Sequence, residues 1–208
     1  MKQITYQLRG REEYIAMLEE LEKELSGQSY KDGLANLLAS GFSTDEMEAM
    51  LKEMHQRLPD MKHVGISVFR LDDSFESRYL RCSFFLFERS SVRVIQKDLD
   101  RDEVDEAAEE FGKCMDDMPH LKGVALFASG ITLRISRLVE MLSKGREEIP
   151  LFGSMANNAP GEDGLIPYYL IGNTISDFGV AAVLFSGEEL EIQADYVFGW
   201  QPIGKKWR

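Results

Sequence analysis

The sequence predicts an α/β protein: two tandem repeated α-β-α-β-β-β halves whose mixed sheets are flanked by helices. Three observations predict it. Segments with apolar residues at helical spacing alternate with short apolar runs, the signature of strands interleaved with helices. Short segments recur in the same order: Ala39-Ser40-Gly41 returns as Ala128-Ser129-Gly130, Val64-Gly65 as Phe152-Gly153, and Phe84–Phe87 as Ala182–Phe185. Each half also closes on a short polar turn between apolar runs, Phe87–Val92 and Phe185–Leu190, and such turns read as hairpins.

Ile4–Leu8 alternates as a strand, and Val92–Leu99 is its counterpart. Arg11–Leu25 then places Tyr14, Leu18, Leu21 and Leu25 on one helical face; its counterpart, Asp102–Met118, does the same with Val104, Ala107, Ala108, Phe111 and Met115. Leu34–Ala39 and Val124–Ala128 are short apolar strands. Leu34, Leu37 and Leu38 also fit a helix, and the clearer strand character of Gly123–Ala128 decides between them. Second helices follow over Thr44–Arg57 and Leu133–Lys144. Ser43 and Glu46 have the spacing of a capping box; Thr132 can cap the equivalent helix, but Ile135 stands where the reciprocal Glu would be. A further strand enters Gly65 or Gly153. Tyr79–Phe87 with Val92–Gln96, and Phe178–Phe185 with Leu190–Ala194, are expected to close the halves as antiparallel pairs. The larger spacing of that last repeat fits a longer loop after Gly153. The whole chain, 1–208, reads as one region with halves at about 1–91 and 92–195.

A length of 208 residues supports a substantial core, and 44% hydrophobic with 29% charged residues is an ordinary globular balance. The net charge of −12 repels nucleic-acid phosphates and anionic lipid. Lys205, Lys206 and Arg208 form one basic cluster, at the end of the chain, where a solvated terminus is its simplest reading. Cys82 and Cys114 lack any metal or redox spacing and read as free thiols suited to a reducing cytoplasm. Met1–Tyr6 has no signal-peptide core, and no apolar run approaches a membrane span.

Catalytic chemistry finds little support. His55, His63 and His120 are scattered, with no metal-ligand or triad spacing, and Ser129-Gly130 is not a nucleophile elbow. The acidic run from Asp98 to Glu106 lacks the glycine turn and distal Glu of a calcium loop; acids in a first helical turn explain it. No catalytic residue, metal or cofactor is expected. Binding chemistry has a better candidate. Ile149–Phe152 is a short apolar run, followed by Gly153-Ser154-Met155-Ala156-Asn157-Asn158 and a loop rich in Gly, Pro, Asp and Glu. A strand ending in small residues brings main chain close to a ligand. The strand–helix turns at Ser40-Gly41 and Ser129-Gly130 could present further N–H groups, although a glycine that only makes the turn is the commoner case. Trp200, between Gly199 and Pro202, is either a lid on the core or a pocket wall.

Gly153–Asn158, then Tyr168–Gly172, Gly179–Gly187 and Gly199-Trp200-Gln201-Pro202-Ile203-Gly204, taken in order, resemble the N-terminal region of the FIST domain, a bacterial signal-transduction input module. Ser154 stands where that family often has a second Gly, and Asn158 where it often has an acid, which removes a charge from the site. Gly65-Ile66-Ser67-Val68-Phe69 has lost most of the small and acidic character of its counterpart. The resemblance implies a non-catalytic sensory domain for small polar metabolites such as amino acids. It further implies coupling to a C-terminal FIST region that would begin within 196–208, or to an output domain: a kinase, a cyclic-dinucleotide enzyme or a chemoreceptor. The expected ligand-binding residues are Gly153, Ser154, Met155, Ala156, Asn157, Asn158, Ser129, Gly130 and Trp200. Two alternatives stand beside it: an interaction module without ligand, presenting a surface for homodimerisation or for a partner domain, and a hydrolase using Ser129 or Ser154.

Overall fold

The computed structural model describes residues 1–68, 78–99, 104–129, 134–156, 159–161, 164–166 and 169–193, with the backbone alone for 159–161 and 164–166. The chain opens with β1 (Lys2–Leu8), α1 (Arg11–Leu25), β2 (Asp32–Ser40), α2 (Thr44–Arg57), β3 (Met61–Ser67) and β4 (Tyr79–Phe87). Next come β5 (Ser91–Asp98), α3 (Val104–Asp116), β6 (Leu121–Ala128), α4 (Ile135–Ser143) and β7 (Leu151–Met155). Short strands β8 (Ala159–Gly161), β9 (Gly164–Ile166), β10 (Leu170–Ile171) and β11 (Ile175–Ser176) then lead to β12 (Gly179–Ser186).

Local chemistry explains the helices. The carboxylate of Glu13 accepts the Arg9 N–H at 2.8 Å ahead of α1, which then buries Tyr14, Met17, Leu18, Leu21 and Leu25. At α2 the expected capping box forms. Glu46 N–H donates to Ser43 Oγ at 3.3 Å, and Glu46 Oε2 accepts the Ser43 N–H at 2.9 Å. Burial alone would raise the Glu46 carboxyl, but the Ser43 N–H and the Arg78 guanidinium together hold it below its ordinary value. β2 is a strand despite its leucine spacing. Ala35, Leu37 and Ala39 pack on the α1–α2 side, while Leu34 faces the other sheet with Leu38 packed against the same cluster.

Two mixed sheets result. The first has the order β1-β4-β2-β3-β10-β11 and the second β5-β12-β6-β7. In the first, β1 and β2 run antiparallel to β4, and β2 runs parallel to β3. In the second, β5 and β6 run antiparallel to β12, and β6 runs parallel to β7. The two four-strand arrangements therefore share order and direction, as a tandem repeat would require. One apolar cluster joins α1 and α2 to the first sheet, another joins α3 and α4 to the second, and a third lies between the sheets. The layers are helices, sheet, sheet, helices.

Polar ties hold the two sheets together. Asp32 at the start of β2 accepts the Val92 N–H of β5 at 3.0 Å and pairs with Lys62. The Gln96 amide on β5 donates to the Thr174 carbonyl and hydroxyl and accepts the Thr174 N–H, fastening the β10–β11 hairpin to the second sheet.

Four sequence expectations change. β4 and β5 do not form a hairpin, because β4 already has β1 and β2 on its two sides; Phe87–Val92 instead carries the chain from one sheet to the other. Leu190–Gln193 is not a strand, since β12 is likewise occupied on both sides by β5 and β6, and Ala194 lies outside the described residues. Gly153 falls inside β7 rather than in a turn after it. Both helices of the second half end earlier than expected, α3 at Asp116 and α4 at Ser143; α4 starts at Ile135 with Arg134 rather than Thr132 at its N-cap position, and 102, 103, 132 and 133 lie outside the described residues. Among the described residues no helix is long and apolar enough to cross a membrane.

Candidate functional site

The expected site is built on β7, and its local conformation follows from Gly153. In the register of β6 and β7, Gly153 lies opposite Leu126, just as Gly65 in β3 lies opposite Leu37 of β2. A Cβ on Gly153 would stand 1.8 Å from the Leu126 carbonyl oxygen, and one on Gly65 would stand 2.0 Å from that of Leu37. Gly153 also has φ of 153°, a conformation that side chains disfavour. Both glycines are therefore demanded by the neighbouring backbone, whether or not a ligand is present.

The two equivalent strands then differ. β3 is sealed by β10, whose Leu170 and Ile171 pair with Ile66 and Gly65. Ser67 reinforces the seal: its N–H donates to the Tyr169 carbonyl at 2.9 Å, and its Oγ accepts the Tyr169 N–H at 2.8 Å. β7 pairs with β6 alone, and among the described residues no strand joins its other side. Phe152, Gly153 and Ser154 are exposed, with Phe152 at 37%; Met155 is half-buried and Ala156 is fully buried between the sheets.

The helix above β7 is also less complete. α2 buries Met47, Met50, Leu51 and Met54 over β3, whereas the shorter α4 buries Leu138 and Leu142. The space left beside β7 is a cavity of about 210 Å³ whose lining includes Leu126, Ile135, Val139, Gly153, Ser154 and Met155. Its walls are apolar; polar recognition there falls to the Ser154 hydroxyl and to main-chain groups at the strand edge.

Ser129 is fully buried, and its hydroxyl is engaged. It accepts the Gly179 N–H at 2.7 Å and faces the Gly179 carbonyl at 3.3 Å, locking the end of β6 to the start of β12. That leaves Ser129 without a histidine hydrogen bond that would make it a nucleophile. Gly130, Asn157, Asn158 and Trp200 lie outside the described residues. Among the described residues no three His, Cys, Asp or Glu side chains converge as a metal site requires. Burial pushes the Cys82 thiol well above its ordinary value, so it behaves as core rather than as a reactive group. His63 has its pKa lowered by burial, with a hydrogen bond to the Gly172 backbone opposing that effect.

A second cavity, about 490 Å³, lies between the sheets and was not anticipated from the sequence. Phe85 and Phe87 read there as plain sheet residues. The signal that could have found it is Asn36, a polar residue between Leu34 and Leu38 on the inward face of β2.

No curated protein matches the chain. The family model for the FIST N domain matches residues 16–208, from within α1 to the last residue. With that match, the repeated β-α-β-α-β-β order in its two sheets and the glycine-marked strands β3 and β7, the chain belongs to the FIST N domain family of signal-transduction sensory domains.

Proposed function

We propose that this chain is a non-catalytic sensory input domain that binds a small polar metabolite at the open side of β7, with amino acids as the favoured class. The observation that carries this reading is the strand edge at Phe152–Ser154, bare among the described residues and beside a cavity, where the equivalent edge of β3 is sealed. An unpaired edge holds free N–H and C=O groups, and these are the partners that a carboxylate and an ammonium need. Ser154 adds a hydroxyl, and Asn157 and Asn158 follow directly in the chain. Occupation would hold β7 and α4 in one arrangement. A ligand with differential affinity for that arrangement biases a coupled C-terminal FIST region or an output domain such as a kinase, a cyclic-dinucleotide enzyme or a chemoreceptor. A cytoplasmic setting fits the two free thiols.

Thermal-shift measurements with the common amino acids test this on wild type and on Ser154→Val, an exposed change that a strand tolerates. A saturable rise for one chemical class, lost in the variant, is the expected result. An equal rise in both proteins, or none in wild type, rejects the edge as the site.

The same bare edge also favours a second reading, strand addition by another copy of the chain. Sedimentation would then show a concentration-dependent dimer that Ser154→Pro abolishes, because proline removes an edge N–H.

A further inference from the structure

The space between the sheets has an unusual lining for a protein core. Its floor is built of Leu34, Val64, Ala125 and Val183, all buried. Its rim is aromatic: Phe85, Phe127 and Phe185 are half-buried and Phe152 is exposed. Phe152 and Phe185 stack at 6.3 Å with their planes 16° apart, which leaves ring faces and edges directed around an opening. Large rings that could close a core are instead held apart, and the volume of about 490 Å³ falls in the range of small-molecule sites.

Asn36 is the half-buried polar side chain of this cavity, whereas Glu191 and Gln193 of the lining are exposed. The Asn36 side chain lines the space from the middle of β2, and among the described residues it makes no hydrogen bond. A partly buried amide without a protein partner, set in apolar walls, is costly unless something else satisfies it. Glu191, exposed near the mouth, is the one charged side chain of the described lining, and the Met1 amino group that also borders the space is already paired with Glu88 at 4.0 Å, so the walls favour a neutral occupant.

We propose that the intersheet cavity is a second ligand site, for a small, neutral, planar molecule: an aromatic ring held among the phenylalanines, with a ring N–H, amide or hydroxyl bonded to Asn36. This site does not rest on the β7-edge reading. It opens on the other face of the strand through Phe152, and it selects an apolar ring rather than a charged amino-acid backbone.

Indole and its isostere indene, which lacks the N–H, provide the test on the full chain labelled with ¹⁵N. Indole should produce saturable shifts at the Asn36 side-chain amide and at Ala125 and Val183, and it should bind about fivefold more tightly than indene, the scale of one neutral hydrogen bond. Asn36→Leu should remove that preference while retaining indene. Should the variant fail to fold, the indole-to-indene ratio on the unaltered protein still decides. Shifts that do not saturate, shifts centred elsewhere, equal affinity for the two ligands, or a preference that survives in Asn36→Leu would each overturn the proposal.

Discussion

β3 and β7 occupy the same place in two sheets of the same order, and each carries a glycine pressed against the neighbouring strand, yet one is sealed and the other, among the described residues, is open. Across β3 lie β10, the Ser67–Tyr169 hydrogen bonds and the four buried side chains of α2. Across β7 lie a cavity and a shorter helix. The difference teaches where a repeated architecture keeps room for function. One copy carries stability by satisfying its edge. The other leaves main-chain groups available, as ligand-binding elements drawn from the less stable part of a fold do.

The glycines provide the strongest way to break this comparison. Gly65→Ala and Gly153→Ala both force a Cβ into a carbonyl oxygen, and each is expected to destabilise the protein by about 2–4 kcal/mol in chemical denaturation. Gly65 should cost more, because β3 is held on both sides and cannot shift, whereas β7 can move outward. Equal costs would mean that β7 is as constrained as β3.

The seal itself can be weakened. Tyr169 Oη donates to the Phe42 carbonyl at 3.0 Å from a buried position. Tyr169→Phe leaves that carbonyl without its partner and should cost about 1–2 kcal/mol by the same measurement. A neutral result would show that the seal depends on strand pairing alone.

Acid should act on the sealed half. His63 lies in β3, has its pKa depressed below the ordinary 6.5 chiefly by burial, and bonds the Gly172 backbone beside β10. The folded state therefore binds fewer protons than the unfolded state. Stability is complete above pH 6.5 and falls as pH drops from there towards the lowered folded value. Urea titrations between pH 7 and pH 5 should show this loss, and His63→Gln should flatten it. An unchanged slope in the variant would assign the acid sensitivity to other groups.

The smallest expected change in stability is at the open edge. Ser154→Val should alter unfolding by less than about 0.5 kcal/mol, since Ser154 is exposed and makes no hydrogen bond among the described residues. A larger loss would show that β7 is covered after all.

Much of the architecture was legible because periodicity reports which face of an element is buried. The helical face of α1 and the capping box of α2 follow from residue spacing, and the strand assignment of β2 follows from its repeat partner, Gly123–Ala128. The pairing of the closing strands was not legible. Phe87–Val92 and Phe185–Leu190 have the composition of hairpin turns, but whether two adjacent strands pair depends on which sides are already occupied, and that is a property of the assembled sheets. For the site, small residues and glycine singled out Gly153 and Ser154, yet the reason for Gly153 is the Leu126 carbonyl of another strand. The role of Ser129 as a buried lock on Gly179 depends on the same kind of long-range contact.

By itself the sequence determined the alternation of helices and strands, the capping box of α2, the inward faces and the family, because these depend on local stereochemistry and on the order of motifs along the chain. Only the tertiary structure decided that β10 crosses to seal β3, that among the described residues no strand covers the other side of β7, and that phenylalanines from both sheets enclose a cavity around Asn36. Each of these arises from segments distant in sequence meeting in space, where excluded volume and unsatisfied hydrogen bonds are settled by neighbours that no local pattern names.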